Sequence, residues 1–201
     1  FEGGINEGTN VVVDLRENYG IFCSIVTYPV VPKGQIMLRI IPTASHTLEH
    51  VERTISVGRA SVGKVGLDWG DGEIVWQMTS VDEVWGDPVP AEFNGIPVGE
   101  GEILIYGDGI TYIEAYGKMN DDVIINPLLA VDVTNATDLE ELYLNTNRIG
   151  SIDLSNNLKL KTLNIARNLF ESIDITANTA LTSFTADENS LTSIDLSKNA
   201  S

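Results

Sequence analysis

From residue 139 onward, apolar and polar positions recur on a fixed beat. Leu139-x-x-Leu142-x-Leu144-x-x-Asn147 returns as Leu160-x-x-Leu163-x-Ile165-x-x-Asn168 and again as Leu181-x-x-Phe184-x-Ala186-x-x-Asn189, with starts 21 residues apart. Each repeat holds a second copy of the pattern: Ile149-x-x-Ile152-x-Leu154-x-x-Asn157, Phe170-x-x-Ile173-x-Ile175-x-x-Asn178 and Leu191-x-x-Ile194-x-Leu196-x-x-Asn199. Alternation of this kind over a few residues is the period of a strand, and no segment is long enough for a convex helix. The pattern predicts a flattened coil with a short strand on each side and its Leu and Ile columns turned inward. Asn147, Asn168 and Asn189 form one expected ladder and Asn157, Asn178 and Asn199 another, turned inward to satisfy backbone groups that would otherwise be buried without partners.

The positions between the apolar columns face outward and decide what the coil binds. On one side they are Glu141, Tyr143 and Asn145, then Thr162, Asn164 and Ala166, then Ser183, Thr185 and Asp187, a small, polar, mildly acidic surface with Tyr143 as its aromatic anchor. On the other side Asp132, Asp153, Asp174 and Asp195 stack. At about 4.8 Å per strand each neighbouring pair repels by only about 1 kcal/mol in water, so a solvated column is tolerable without a metal, and a calcium ladder is the alternative.

A 21-residue period lies in the leucine-rich-repeat range. The stretch Leu191-Thr-Ser-Ile-Asp-Leu-Ser-Lys-Asn199 resembles surface leucine-rich-repeat proteins of gut-type bacteria. That resemblance covers about residues 110–201 and implies an exported, cell-surface protein that binds another protein or a glycan. Ile110, Ile113 and Ala115 match the repeat core 29 residues before Leu139, so the first turn carries an insertion at 118–127 and reads as a cap. The far end, completed at Ser201 without a cap, is expected to continue or to self-associate.

Between 61 and 109 the strongest signal is Gly70-Asp71-Gly72 between two alternating runs, 65–69 and 73–76, a hairpin. Trp69-Gly70-Asp71-Gly72 resembles the strand-and-turn signature of PKD-like β-sandwich domains. Asp68, Asp71 and Glu73 serve either the turn or a calcium ion, although the spacing lacks the EF-hand loop. The Pro- and Gly-rich residues 88–101 read as a loop, and 103–106 and 110–115 as strands.

Residues 1–60 predict helices at 11–19 and from Thr47, whose Leu48, Val51 and Ile55 share a face, and strands at 22–27 and 35–41. Gly20-Ile21-Phe22 to Tyr28-Pro29-Val30-Val31-Pro32-Lys33-Gly34, then Leu38-Arg39-Ile40 to Ala44-Ser45-His46-Thr47, resemble the C-terminal end of the small domain of α-oxoamine synthases, pyridoxal-phosphate enzymes of aminotransferase fold type I. The likeness spans about 11–58. It implies that Arg39 contacts a substrate carboxylate, as a planar guanidinium does well. The family's Schiff-base lysine, pyridine-nitrogen aspartate and ring-stacking histidine belong to a large domain that this sequence does not match. The expectation is therefore that the chain is not an enzyme and carries no cofactor, pyridoxal phosphate entering only if the chain is a fragment of such an enzyme or a chimera. His46 and His50, four apart, lack a third ligand nearby, and Cys23 lies in a strand without a basic neighbour.

Charge sharpens the division. Of the net −17, residues 1–60 contribute −1, from five basic and six acidic residues; residues 61–201 contribute −16, from seven basic and 23 acidic. An acidic surface excludes nucleic acid as a partner, and no apolar run approaches the roughly 20 residues of a membrane-spanning helix. Residues 61–201 hold neither His nor Cys, so no Ser-His-Asp or Cys-His set forms there. The start at Phe1 and the missing signal peptide point to a processed or partial chain. The expected fold is mainly β: a small α/β segment (1–60), a β-rich, PKD-like module (61–109) and a leucine-rich-repeat solenoid of 21-residue repeats (110–201).

Overall fold

The computed structural model describes residues 35–40, 53–97, 102–120, 123–125 and 127–199, with the backbone alone at 35–40, 118–120 and 123–125. The helix expected at 11–19, the strand at 22–27, Cys23, His46, His50 and the side chain of Arg39 lie outside the described residues.

The chain is mainly β, and among the described residues there is no helix. One sheet holds five strands in the order β12 (Leu128–Asp132), β1 (Gln35–Ile40), β8 (Glu102–Tyr106), β3 (Lys64–Asp68) and β4 (Ile74–Met78). The hairpin expected around Gly70-Asp71-Gly72 is its β3–β4 edge, with Asp68 opposite Ile74. The Oδ1 of Asp68 accepts the N–H groups of Gly70, Asp71 and Gly72 at 2.8, 3.1 and 3.1 Å, so this carboxylate closes the turn.

The second sheet holds six strands in the order β15 (Ser183–Thr185), β14 (Thr162–Asn164), β13 (Glu141–Tyr143), β9 (Ile110–Glu114), β2 (Arg53–Arg59) and β7 (Ala91–Gly95). Its first four strands are parallel and in register: Tyr112 lies opposite Glu141, Glu141 opposite Thr162, and Thr162 opposite Ser183. The offsets are 29, 21 and 21 residues. The 29-residue step holds a hairpin of β10 (Lys118–Asn120) and β11 (Val123–Ile125), where the insertion was expected. A last hairpin pairs β5 (Ser80–Val81) with β6 (Pro88–Val89).

Both sheets share one core, running from Ile55, Val57, Val65, Leu67 and Phe93 through Leu139, Leu142, Leu144, Leu160, Leu163, Ile165 and Phe170. Each such side chain contributes about 1.5–3 kcal/mol of burial. Toward β15 the core thins, with Phe184, Ala186, Leu191 and Ile194 only partly buried.

Three expectations need correction. The helix from Thr47 fails where it is described: residues 53–59 are strand. Ile55 fits a helical face with Leu48 and Val51, but it equally alternates with Val57. Pairing of β2 to β7 on one side and β9 on the other decides for the strand. The loop expected at 88–101 contains β6 and β7, because Ala91 and Phe93 alternate inward and are buried. Finally, β1 and β2 precede residue 60 yet pair with β8, β12, β7 and β9, so the charge break near 60 is not a break between sheets.

Candidate binding face

The parallel strands put one side chain in two toward the outside. Their register aligns these side chains in rows: Tyr112, Glu141, Thr162 and Ser183 in one, Glu114, Tyr143, Asn164 and Thr185 in the next. Of these, Ser183 is exposed and the others are half-buried. The third expected row, Asn145, Ala166 and Asp187, follows each strand; the Oδ1 of Asn164 accepts the N–H of Ala166 at 3.1 Å and fixes the chain there.

Tyr112 and Tyr143 sit diagonally across the β9–β13 pair with ring centroids 5.6 Å apart and planes tilted by 46°. The Tyr112 hydroxyl donates to Glu114 Oε2 at 2.8 Å, and the Tyr143 hydroxyl donates to Glu141 Oε2 at 2.8 Å. Burial, then the bond to Glu114, raises the Tyr112 hydroxyl above the ordinary tyrosine range. Burial, then the bond to Glu141, raises Tyr143 in the same direction. Both phenols therefore stay neutral at physiological pH and hold their carboxylates in place. Beside Tyr112 opens a cleft of about 480 Å³, walled by Gly58 and Arg59 of β2, Pro88 and Pro90 from the β6 end, and Glu140 and Glu141. Gly58 makes room for the tyrosine, since a Cβ there would approach Tyr112 Cβ to 2.9 Å.

Tyr112 and Glu114 were missed as members of this face. The signal was present: Tyr112-x-Glu114 occupies the positions that Glu141-x-Tyr143 occupies one turn later.

Both asparagine columns face inward. Asn168 Nδ2 donates to Leu144 O at 2.9 Å and Ile165 O at 3.0 Å, and its Oδ1 accepts the N–H of Ile149 at 3.0 Å. Asn147 and Asn189 repeat the arrangement on Leu144 O and Leu128 N, and on Ala186 O and Phe170 N. In the other column Asn157, Asn178 and Asn199 donate to Val133 O, Leu154 O and Ile175 O, while no group among the described residues donates to their Oδ1 atoms. The first column begins on an unforeseen residue: Arg53, 3% exposed, sends Nη2 to Ala115 O, Tyr116 O and Asn147 Oδ1 at 2.9, 3.2 and 3.2 Å. Burial pushes its guanidinium down to about 10.

The aspartate column has a local role. The Oδ1 atoms of Asp132, Asp153, Asp174 and Asp195 accept the N–H two residues on, from Thr134, Ser155, Thr176 and Ser197, at 2.8–2.9 Å. The hydroxyls of Ser155 and Thr176, then these N–H bonds, hold Asp153 and Asp174 below the usual carboxylate range, and the Ser197 N–H, then its hydroxyl, does the same for Asp195. Among the described residues no three His, Cys, Asp or Glu side chains are arranged to hold a metal ion.

Pyridoxal phosphate asks for a lysine withdrawn from water so that its amine is neutral. Lys64, Lys159, Lys161 and Lys198 are all exposed, and the described residues do not fit that cofactor.

No family model matches the chain. Over 55 residues in its N-terminal part, 27% of its length, the chain is 64% identical to the cysteate-C-fatty acyltransferase of Capnocytophaga ochracea. It spans only 13% of that relative's length. Among solved structures it is similar to the functional domain of InlJ from Listeria monocytogenes, which includes a cysteine ladder. That likeness has a TM-score of 0.36 and 35% identity, over 37% of this chain and 16% of that one.

The acyltransferase match fits the resemblance of residues 11–58 to pyridoxal-phosphate enzymes. It also overturns the expectation that the chain is not an enzyme, since a relative at 64% identity is one.

Proposed function

We propose that β9 and β13–β15 belong to a leucine-rich-repeat solenoid of 21-residue repeats that recognises a protein or glycan at a bacterial cell surface through its outward rows. The in-register parallel stack, with the Tyr112–Tyr143 pair fixed by two carboxylates beside a cleft, carries this reading. Tyrosine supplies a large contact area at small entropic cost, and Thr, Asn and Ser in the neighbouring positions supply hydrogen bonds. The test is a glycan array and a surface-protein panel probed with the wild-type chain, Tyr143→Ala and Asn164→Lys. Ligands of the outward face lose binding on both substitutions. A ligand that binds both variants as tightly as wild type would sink the reading.

A second reading is favoured by the 64% identity: the N-terminal part is a piece of an acyltransferase of the pyridoxal-phosphate class, in which Arg39 meets a substrate carboxylate. The family's Schiff-base lysine lies in a large domain that this sequence does not match, so the test is the native product: an intact mass that includes such a domain joined to residues 11–58 supports the reading, and a product without it counts against it. If the two parts come from different proteins, the intact mass of the product in its native source will correspond to one part alone.

A further inference from the structure

The β5–β6 hairpin carries residues 82–87 at a closed tip. Asp82 Oδ1 accepts the N–H groups of Val84 and Trp85 at 2.8 and 2.7 Å. The Asp82 N–H donates to Asp87 O at 2.8 Å, and the Gly86 N–H donates to Asp82 O at 2.9 Å. Gly86 has φ of 74°, in the left-handed region that glycine adopts without strain. What this fastened turn holds out is apolar: Val84 is 76% and Trp85 81% exposed.

A tryptophan left this bare on a preformed turn has the properties of an interface anchor. It carries a large burial gain, and little conformational freedom remains to be lost on docking. Its surroundings limit the partner. Asp82, Glu83 and Asp87 ring the tip, and Asp87 also lines the cleft that Glu140 and Glu141 border from the other side. Arg59 lines the cleft as well, and Lys161 pairs with Glu140 at 2.6 Å, so the acidic excess is concentrated on the hairpin side. Carboxylates around an exposed tryptophan repel an anionic membrane and attract a basic protein surface.

We propose that the Trp85 tip docks into an apolar pocket on a partner protein whose rim carries Lys and Arg, with the rim meeting Asp87 and Glu83. The inference shares the cleft with the proposed recognition face but depends on a different residue.

The experiment selects a phage-displayed peptide library on the full chain. It then measures the enriched peptides against wild type, Trp85→Ala, Glu83→Lys and Tyr143→Ala, each checked for an unchanged melting temperature. Expected are peptides combining a large apolar residue with Lys or Arg. Their affinity falls about tenfold or more on Trp85→Ala, falls on Glu83→Lys, and weakens with added salt. No enrichment of such peptides, or equal binding to Trp85→Ala, overturns the inference. Trp85-dependent binding to phosphatidylcholine vesicles in place of peptides overturns it in favour of a lipid surface. Loss on Trp85→Ala without loss on Tyr143→Ala supports the hairpin and counts against the outward face as this ligand's site; the reverse pattern upholds the face and overturns the hairpin.

Discussion

Truncating one asparagine in each inward column separates two structural roles that look the same in sequence. Asn168 makes a donor contact to Leu144 O in the preceding rung, donor contacts to Ile165 O and Ala166 O in its own, and an acceptor contact from the Ile149 N–H. Leu144 and Ile149 are fully buried, so water cannot readily replace the lost partner. Leu144 O, Ile165 O and Ala166 O keep donors in Asn147, Asn189 and the Thr146 N–H, so the Ile149 N–H is the buried group left orphaned, and at about 1–3 kcal/mol it puts the cost of Asn168→Ala at about 2 kcal/mol. Asn178 donates to Leu154 O and Asn157 O but accepts nothing from the described residues. Its truncation orphans no N–H, and Asn178→Ala should cost about 1 kcal/mol less than Asn168→Ala. Urea unfolding followed by circular dichroism reads both, with the midpoint shift at constant slope giving the energy. Equal losses, or a larger loss for Asn178→Ala, would refute the assignment of the fourth hydrogen bond as the source of the difference.

Other outcomes follow from single positions. At Gly117 a Cβ would land on the Thr146 carbonyl oxygen, so Gly117→Ala should lower stability by about 3 kcal/mol or more in the same urea assay. Thr146, Arg167 and Glu188 have φ of 61°, 56° and 54°, each 21 residues from the next, a region that Asn tolerates better than Arg. Arg167→Asn gives up a solvent-exposed pair with Glu188 and should raise the melting temperature slightly, a gain of about 0.5–1 kcal/mol that calorimetry will detect. Asp153 and Asp174 are held below their ordinary pKa, chiefly by the side chains of Ser155 and Thr176. Their contribution is thus present above the unfolded value of about 3.9 and is lost as pH falls through the lower folded values. The urea midpoint should fall as pH drops below about 4, and fall less steeply in the Asp153→Asn/Asp174→Asn double variant.

The legible parts of this molecule are those whose information is local and repeated. Leu142, Leu163 and Phe184 each stand between two outward residues, so the direction of Glu141, Tyr143, Thr162 and Asn164 was readable before any pairing was known. The hairpin around Asp71 was readable for the same reason, since its turn residues lie beside the strands they join. Tyr112 and Glu114 were harder, because the 29-residue first step hides their register with β13. Arg53 and Trp85 left no local trace. Arg53 acts on carbonyls more than sixty positions away, and the exposure of Trp85 follows from what the other described residues do not cover.

By itself the sequence determined the beat, the inward columns and the outward rows, because a strand's two faces are set by alternation along the chain. Tertiary structure alone decided that residues 53–59 form a central strand, that the segments before residue 60 join sheets formed with later ones, and that the face meets a cleft and a tryptophan-tipped hairpin. Strand partners are chosen by long-range burial, and an Ile55 that suits either a helix or a strand takes the form its neighbours in space complete.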